Sequence, residues 1–191
     1  MINNPEQAAT RSPVHHGGLE AAVSGQAFSL AMLTRYNAWC NQRMFDAFEA
    51  LPAGEAMKER PTRFKNMVHT MNHIYVIDRI FKAHLEGRPH GFAARNTDTC
   101  PPLAELRAMK TDIDQWYTEQ VDAWSAQQLA EPVAFEYVGG GKGMMTRNEI
   151  VLHIVNHGTY HRGVIADMLY QVPVVPPVSD ITVYVRDVVM A

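Results

Sequence analysis

The chain has 191 residues, 47% of them hydrophobic and 19% charged, with a formal net charge of −3. That length fits one domain and can bury roughly 70% of its unfolded surface. There is no basic block to serve as a nucleic-acid footprint, and no apolar run nears the ~20 residues of a membrane helix, so neither nucleic acid nor membrane is an expected partner.

Residues 1–27 are rich in Asn, Gly, Ser and Pro and lack periodicity, which predicts an irregular N-terminal arm ahead of a single domain over 28–191. The arm has no basic start followed by an apolar stretch, so it does not read as a secretory signal. The two cysteines, Cys40 and Cys100, are too few for a disulfide framework. A reducing cytoplasm is the expected setting. Cys40 reads as a small buried hydrophobe.

A first helix is predicted from about Ser29 to Leu51, where Leu30, Leu33, Tyr36, Trp39 or Cys40, Met44 and Phe48 recur at intervals of three and four. Pro52 and Gly54 end it. A second helix spans about Thr62 to Glu86 and stops at Gly87–Pro89, and a loop follows. A third starts after Pro101–Pro102 and runs to about Gln128. Val133, Phe135 and Tyr137 then alternate before a glycine cluster, which predicts a short strand or hairpin. The cluster itself, Gly139–Gly143 around Lys142, lacks the spacing of a phosphate loop.

Thr146 stands three residues before Glu149, a capping box that opens a fourth helix from Arg147 to Gln171. In the tail, Ser179 and Asp180 favour a short final helix. Four long helices with short connections predict an all-α four-helix bundle with a strand or hairpin before the fourth.

The fourth helix carries His153, His157 and His161 at four-residue spacing. Neighbours four apart are offset by about 40° and about 6 Å, so two can reach one ion. The outer two lie about 12 Å apart along the axis, which puts a site built from all three out of reach of an ion about 2.1 Å from each nitrogen. With His157 at zero, Ile150, Ile154, His161 and Met168 fall between about 20° and 60°. His157 and His161 therefore sit in the apolar stripe, and His153 lies near its edge at about −40°.

Two imidazoles in mid-core need partners, because an unpartnered buried polar group costs a few kcal/mol. A hydrogen-bonded pair and a metal pair both answer that need. On the second helix, His69, His73 and His84 all lie close to an apolar stripe, and phase does not choose among them.

The stretches around Tyr36–Asp46, Met71–Phe81 and Asn148–Leu169 resemble the DinB/YfiT-like superfamily of four-helix-bundle metalloproteins. The resemblance spans about residues 28–185, and its most specific part is the pattern N-H-x-x-x-H-R-G from Asn156 to Gly163. It implies a metal triad of His73, His157 and His161, a divalent zinc or nickel ion and a homodimer. It further implies a low-molecular-weight thiol as co-substrate for a transferase or hydrolase-type reaction on a small electrophile. The family commonly has glutamine after the arginine–glycine step, where this chain has Val164.

Three imidazoles would leave a tetrahedral ion one open position, the mark of a catalytic rather than a structural site. Candidates for orienting the ligands or lining the pocket are Asn156, Glu149, His153, His69, Tyr160 and Tyr36. Arg162 is expected to make an ion pair with a neighbour on its own helix, and Asp78 points away from His73. The alternatives are a metal that only staples two helices, in a non-catalytic or stress-response dimer, and hydrogen-bonded core histidines with no metal.

Overall fold

The computed structural model describes residues 16–172 and 174–191, with side chains from residue 29 onward. Among the described residues the chain is mostly helical. The order is α1 (His16–Glu49), a 3-10 turn (Glu55–Met57), α2 (Met67–Leu85), α3 (Leu103–Ala123) and α4 (Ala126–Leu129). A hairpin of β1 (Pro132–Glu136) and β2 (Lys142–Thr146) leads to α5 (Arg147–Tyr170), α6 (Ile181–Tyr184) and a final π turn (Val185–Val189).

Each boundary has a local cause. α1 begins at His16, so residues 16–27 are helical rather than irregular. The helix formers Leu19, Glu20, Ala21 and Ala22 outweigh the two glycines before them. Residues 1–15, including His15, lie outside the described residues. α2 starts at Met67, not Thr62. Lys65 takes a left-handed φ of 65°, and the Asn66 side chain accepts from the His69 amide to cap the helix. α3 ends at Ala123 because Ser125 forms a capping box with Gln128 and starts the separate turn α4. α5 begins where expected, on the Thr146–Glu149 capping box.

The antiparallel hairpin pairs Val133 with Met145 and Phe135 with Gly143. A Cβ on Gly143 would come within 2.5 Å of the Phe135 ring, so the glycine lets that ring lie flat across the strand.

The long helices meet in pairs: α1 packs on α3 and α5, and α2 packs on α5 and α3. Between them lies one large apolar core that includes Leu30, Phe45, Met71, Ile74, Leu106, Ile150 and Ile165. A smaller cluster of Tyr36, Cys40, Val155 and Tyr184 seats the C-terminal turn against α1. Among the described residues no helix is long and apolar enough to cross a membrane.

A buried polar network crosses the same core. Lys110, fully enclosed on α3, lies 2.9 Å from Asp78 on α2 and also pairs with Asp114 one turn along its own helix. Asn41 of α1 donates to Asp114 at 2.9 Å. Arg162 of α5 donates to Asn37 at 2.7 Å and Asn41 at 2.8 Å. Each of the four long helices contributes at least one of these groups. Arg162 is thus no surface ion-pair partner but a buried tie between α5 and α1. Gly158 makes room for it: a Cβ there would lie 2.8 Å from Arg162 Nη1 and 2.9 Å from Asn37 Oδ1.

Candidate metal centre

α2 and α5 pack side by side, and this contact brings His73 to His157 and His161. One ring nitrogen from each of the three lies within 4.8 Å of the others. His73 and His161 are buried and His157 is half-buried. The His157 ring centroid is 5.0 Å from that of His73 and 4.5 Å from that of His161.

The hydrogen bonds fix how these rings present themselves. His73 Nδ1 is 2.6 Å from the carbonyl oxygen of Arg95. A carbonyl only accepts, so Nδ1 carries the proton and Nε2 is left with a bare lone pair. That Nε2 faces His157 Nε2 at 3.2 Å. Among the described residues, His157 Nδ1 and His161 Nδ1 are buried and have no partner. Hydrogen bonding among neutral imidazoles closes the His73–His157 contact alone and leaves two buried nitrogens bare, an arrangement that costs a few kcal/mol.

A metal ion fits the donor set. Two nitrogens each about 2.05 Å from a tetrahedral ion stand about 3.3 Å apart, close to the 3.2 Å between His73 and His157. The environment also keeps the rings uncharged and able to ligate. Burial, reinforced by the neighbouring His161 and His73 rings, holds His157 down at about 3. Burial and His73 hold His161 at about 4. His73 is lowered chiefly by burial, against the pull of the Arg95 carbonyl, with the charges of Arg95 and Arg63 adding to the depression. Among the described residues no fourth histidine, cysteine or carboxylate joins the group.

The remaining candidates are spread out. His153 lies against Phe81 at 4.8 Å and next to His157 at 5.6 Å, half-buried and kept neutral by burial, but outside the group of three nitrogens. His69 turns its Nε2 to the Thr97 carbonyl at 3.2 Å. Tyr160 is exposed and presents its ring edgewise to His161 at 4.9 Å, at the rim rather than in the core.

Asn156, Glu149 and Tyr36 do not meet the cluster. Asn156 is exposed and makes no hydrogen bond to an imidazole, because it sits one residue out of phase with His157. Glu149 is occupied at the N-terminus of α5, where its carboxylate accepts from the Thr146 amide at 2.7 Å. Tyr36 donates to the Ser179 carbonyl at 2.6 Å within the C-terminal cluster. Val164 packs against the main core.

Two contacts were not visible in the sequence. Phe64, in the loop before α2, stacks on His73 at 4.3 Å and meets His161 edgewise at 5.5 Å. Its one signal was a lone aromatic in a polar loop. The loop after α2 supplies the Arg95 carbonyl, and it is tied down by Asn96 donating to the His69 carbonyl and Asn72 donating to Asn96 and Thr97. A backbone acceptor in a loop carries no residue-type signal.

Comparison with known proteins identifies the family. The sequence profile described as the DinB family matches residues 25–187. The chain is 29% identical over 143 residues to a protein named Protein DinB from Bacillus subtilis (strain 168), covering 73% of this chain and 83% of the relative.

Proposed function

Because the chain belongs to the DinB family, we propose that it is a metal-dependent enzyme whose ion is held by His73, His157 and His161. The observation that carries this reading is the convergence of three neutral imidazoles, with one ring nitrogen of each within 4.8 Å of the others. The four long helices form a four-helix bundle in this reading, with the site between the second and fourth of them. The chain acts as a homodimer in the cytoplasm.

When bound, a zinc or nickel ion supplies a Lewis acid that favours the anion of a thiol or water in its open position. The protein's own groups do the rest. The Arg95 carbonyl fixes the His73 tautomer and ring orientation. Phe64 covers one face of His73 and shields it from water. His153 and Phe81 wall the side beyond His157. The substrate is a small electrophile bearing a leaving group. A low-molecular-weight thiol or water, having lost its proton, would form the new bond to it as the bond to the leaving group breaks and that group departs with the electron pair. A non-catalytic staple would need a fourth protein ligand, and no such group joins the cluster among the described residues.

The test is elemental analysis and X-ray absorption on protein purified without a nickel column, followed by a screen of thiol transfer onto generic electrophiles. The expected result is one divalent ion per chain with three imidazole ligands and an exchangeable fourth. An ion with four protein ligands defeats the enzyme reading, and protein that takes up no ion defeats the metal reading.

A further inference from the structure

We infer that Arg63 and Arg95 form a cationic rim that selects an anionic ligand, one with a carboxylate or similar group placed away from its metal-binding end. This inference rests on the metal reading and adds a substrate class to it.

The argument starts from where the molecule leaves positive charge uncompensated. Most described arginines are matched by a carboxylate: Arg35 by Asp122, Arg60 by Glu55, Arg88 by Glu86, Arg107 by Asp46 and Glu49, Arg147 by Glu131 and Arg186 by Asp187. Arg162 is buried against asparagines. Arg43 lies over the Trp39 ring, and Arg79 donates to the Tyr75 hydroxyl.

Arg63 and Arg95 are different. Both are exposed, and among the described residues neither has a carboxylate within ion-pair distance. Both also flank the same imidazole. The Arg63 guanidinium sits 5.9 Å from the Phe64 ring centroid, and that ring stacks on His73. Arg95 is anchored to His73 through its own backbone carbonyl, and the charges of both reach that ring.

On a chain of net charge −3, two free guanidiniums beside a divalent ion make a local positive field. Such a field raises the local concentration of anions and steers them inward. A planar guanidinium also pairs with carboxylate more specifically than an ammonium does. The apolar Phe64 face between rim and site suits the carbon chain that joins a thiol or other donor to its carboxylate. Recognition is thus split, with the donor atom at the histidines and the anionic tail at the rim.

The test uses matched probes on cobalt-loaded protein. 3-Mercaptopropionate and 6-mercaptohexanoate are each titrated against their neutral amides, read by thiolate-to-cobalt absorption. The acids should bind about tenfold more tightly than the amides at low salt, and the preference should fall to within about threefold in high salt. The Arg63→Ala/Arg95→Ala double variant should lose the preference to the same extent, while Arg63→Lys/Arg95→Lys should keep part of it. Circular dichroism checks that the variants are folded.

If acids and amides bind alike, or if the double variant keeps the full preference, the rim inference is overturned while the metal reading stands. If no cobalt is taken up, the metal reading fails and the rim inference falls with it. If cobalt is bound but neither acid nor amide thiol reaches it, the metal reading stands and the rim inference is overturned.

Discussion

Two buried polar regions lie side by side in this helical core, and they are built on opposite plans. In the network of Asn37, Asn41, Asp78, Lys110, Asp114 and Arg162, opposite charges balance across the four long helices, with Asp78 held by the charge of Lys110 while its carboxylate oxygens accept no hydrogen bond among the described residues. In the cluster of His73, His157 and His161, no charge balances another: three imidazoles kept neutral by burial meet with no carboxylate in the group. Titratable groups gathered with no opposing charge to pair them mark a functional site rather than scaffolding. The first region therefore belongs to the architecture, and the second is the one that the proposed function assigns to a ligand. Neighbouring residues of one helix serve both, since His161 is a cluster member and Arg162 a network member.

The largest effect should come from breaking the closed network. Lys110→Met keeps the volume but leaves Asp78 and Asp114 buried without their cation, and should cost about 3–5 kcal/mol by urea denaturation. A loss under about 1 kcal/mol would mean that the network does not hold the helices.

The open cluster should behave in the reverse sense. In metal-free protein, His157→Leu should change stability by less than about 1 kcal/mol, because it removes a group with an unmet need. Zinc at a thousandfold excess over its dissociation constant should stabilise the parent by about 4 kcal/mol, and should not stabilise the variant comparably. Equal stabilisation of both proteins would remove His157 from the site.

Acid separates the regions by sign. His157 is held at about 3 and His161 at about 4, below the ordinary 6.5, so the unfolded chain binds their protons first as pH falls. Their contribution is complete above 6.5 and is lost on the way down toward 4 and then 3. Asp78 is raised by burial from 3.8 to about 6 against the pull of Lys110. Its contribution is present below 3.8 and is lost as pH rises through 6. Denaturation midpoints of metal-free protein across this range should show a shallower acid limb in His157→Leu. A limb unchanged in the variant would refute the assignment.

Smaller effects should come from the glycines of α5. Gly158→Ala gains about 1 kcal/mol of helix propensity but drives a methyl against Arg162 and Asn37, for a net loss of about 1–2 kcal/mol. At Gly163 nothing lies within 4 Å of the new methyl, so the same change should stabilise by about 0.5–1 kcal/mol. Paired melting temperatures moving in opposite directions would locate the tight contact.

The elements were more legible than their ends. Apolar stripes at three- and four-residue spacing identify α1, α2, α3 and α5, and the Thr146–Glu149 box marks the α5 start, because both signals are local. The α2 start and the α3 end depended on which of several capping residues the loop geometry selects. At the site, helix phase singled out His157 and His161 but left three histidines open on α2. What separates them is tertiary: His69 bends to the Thr97 carbonyl, His84 stacks on Phe135 at 5.2 Å, and His73 faces α5. Phe64, the Arg95 carbonyl and the buried role of Arg162 all depend on contacts between segments far apart in the chain, and no periodicity reports those.

The loop that follows α2 holds His73 through a single backbone carbonyl and is fastened by Asn96 and Thr97 to that helix. Because this carbonyl bond raises the basicity of His73 against burial, a displacement of the loop would turn one imidazole and lower its basicity while leaving the interhelical packing alone. The loop would thus serve as a tuning screw for the proposed centre, separate from the frame that carries it. Remodelling of this segment, rather than of the core, is the economical route to altering the reactivity of the site by design.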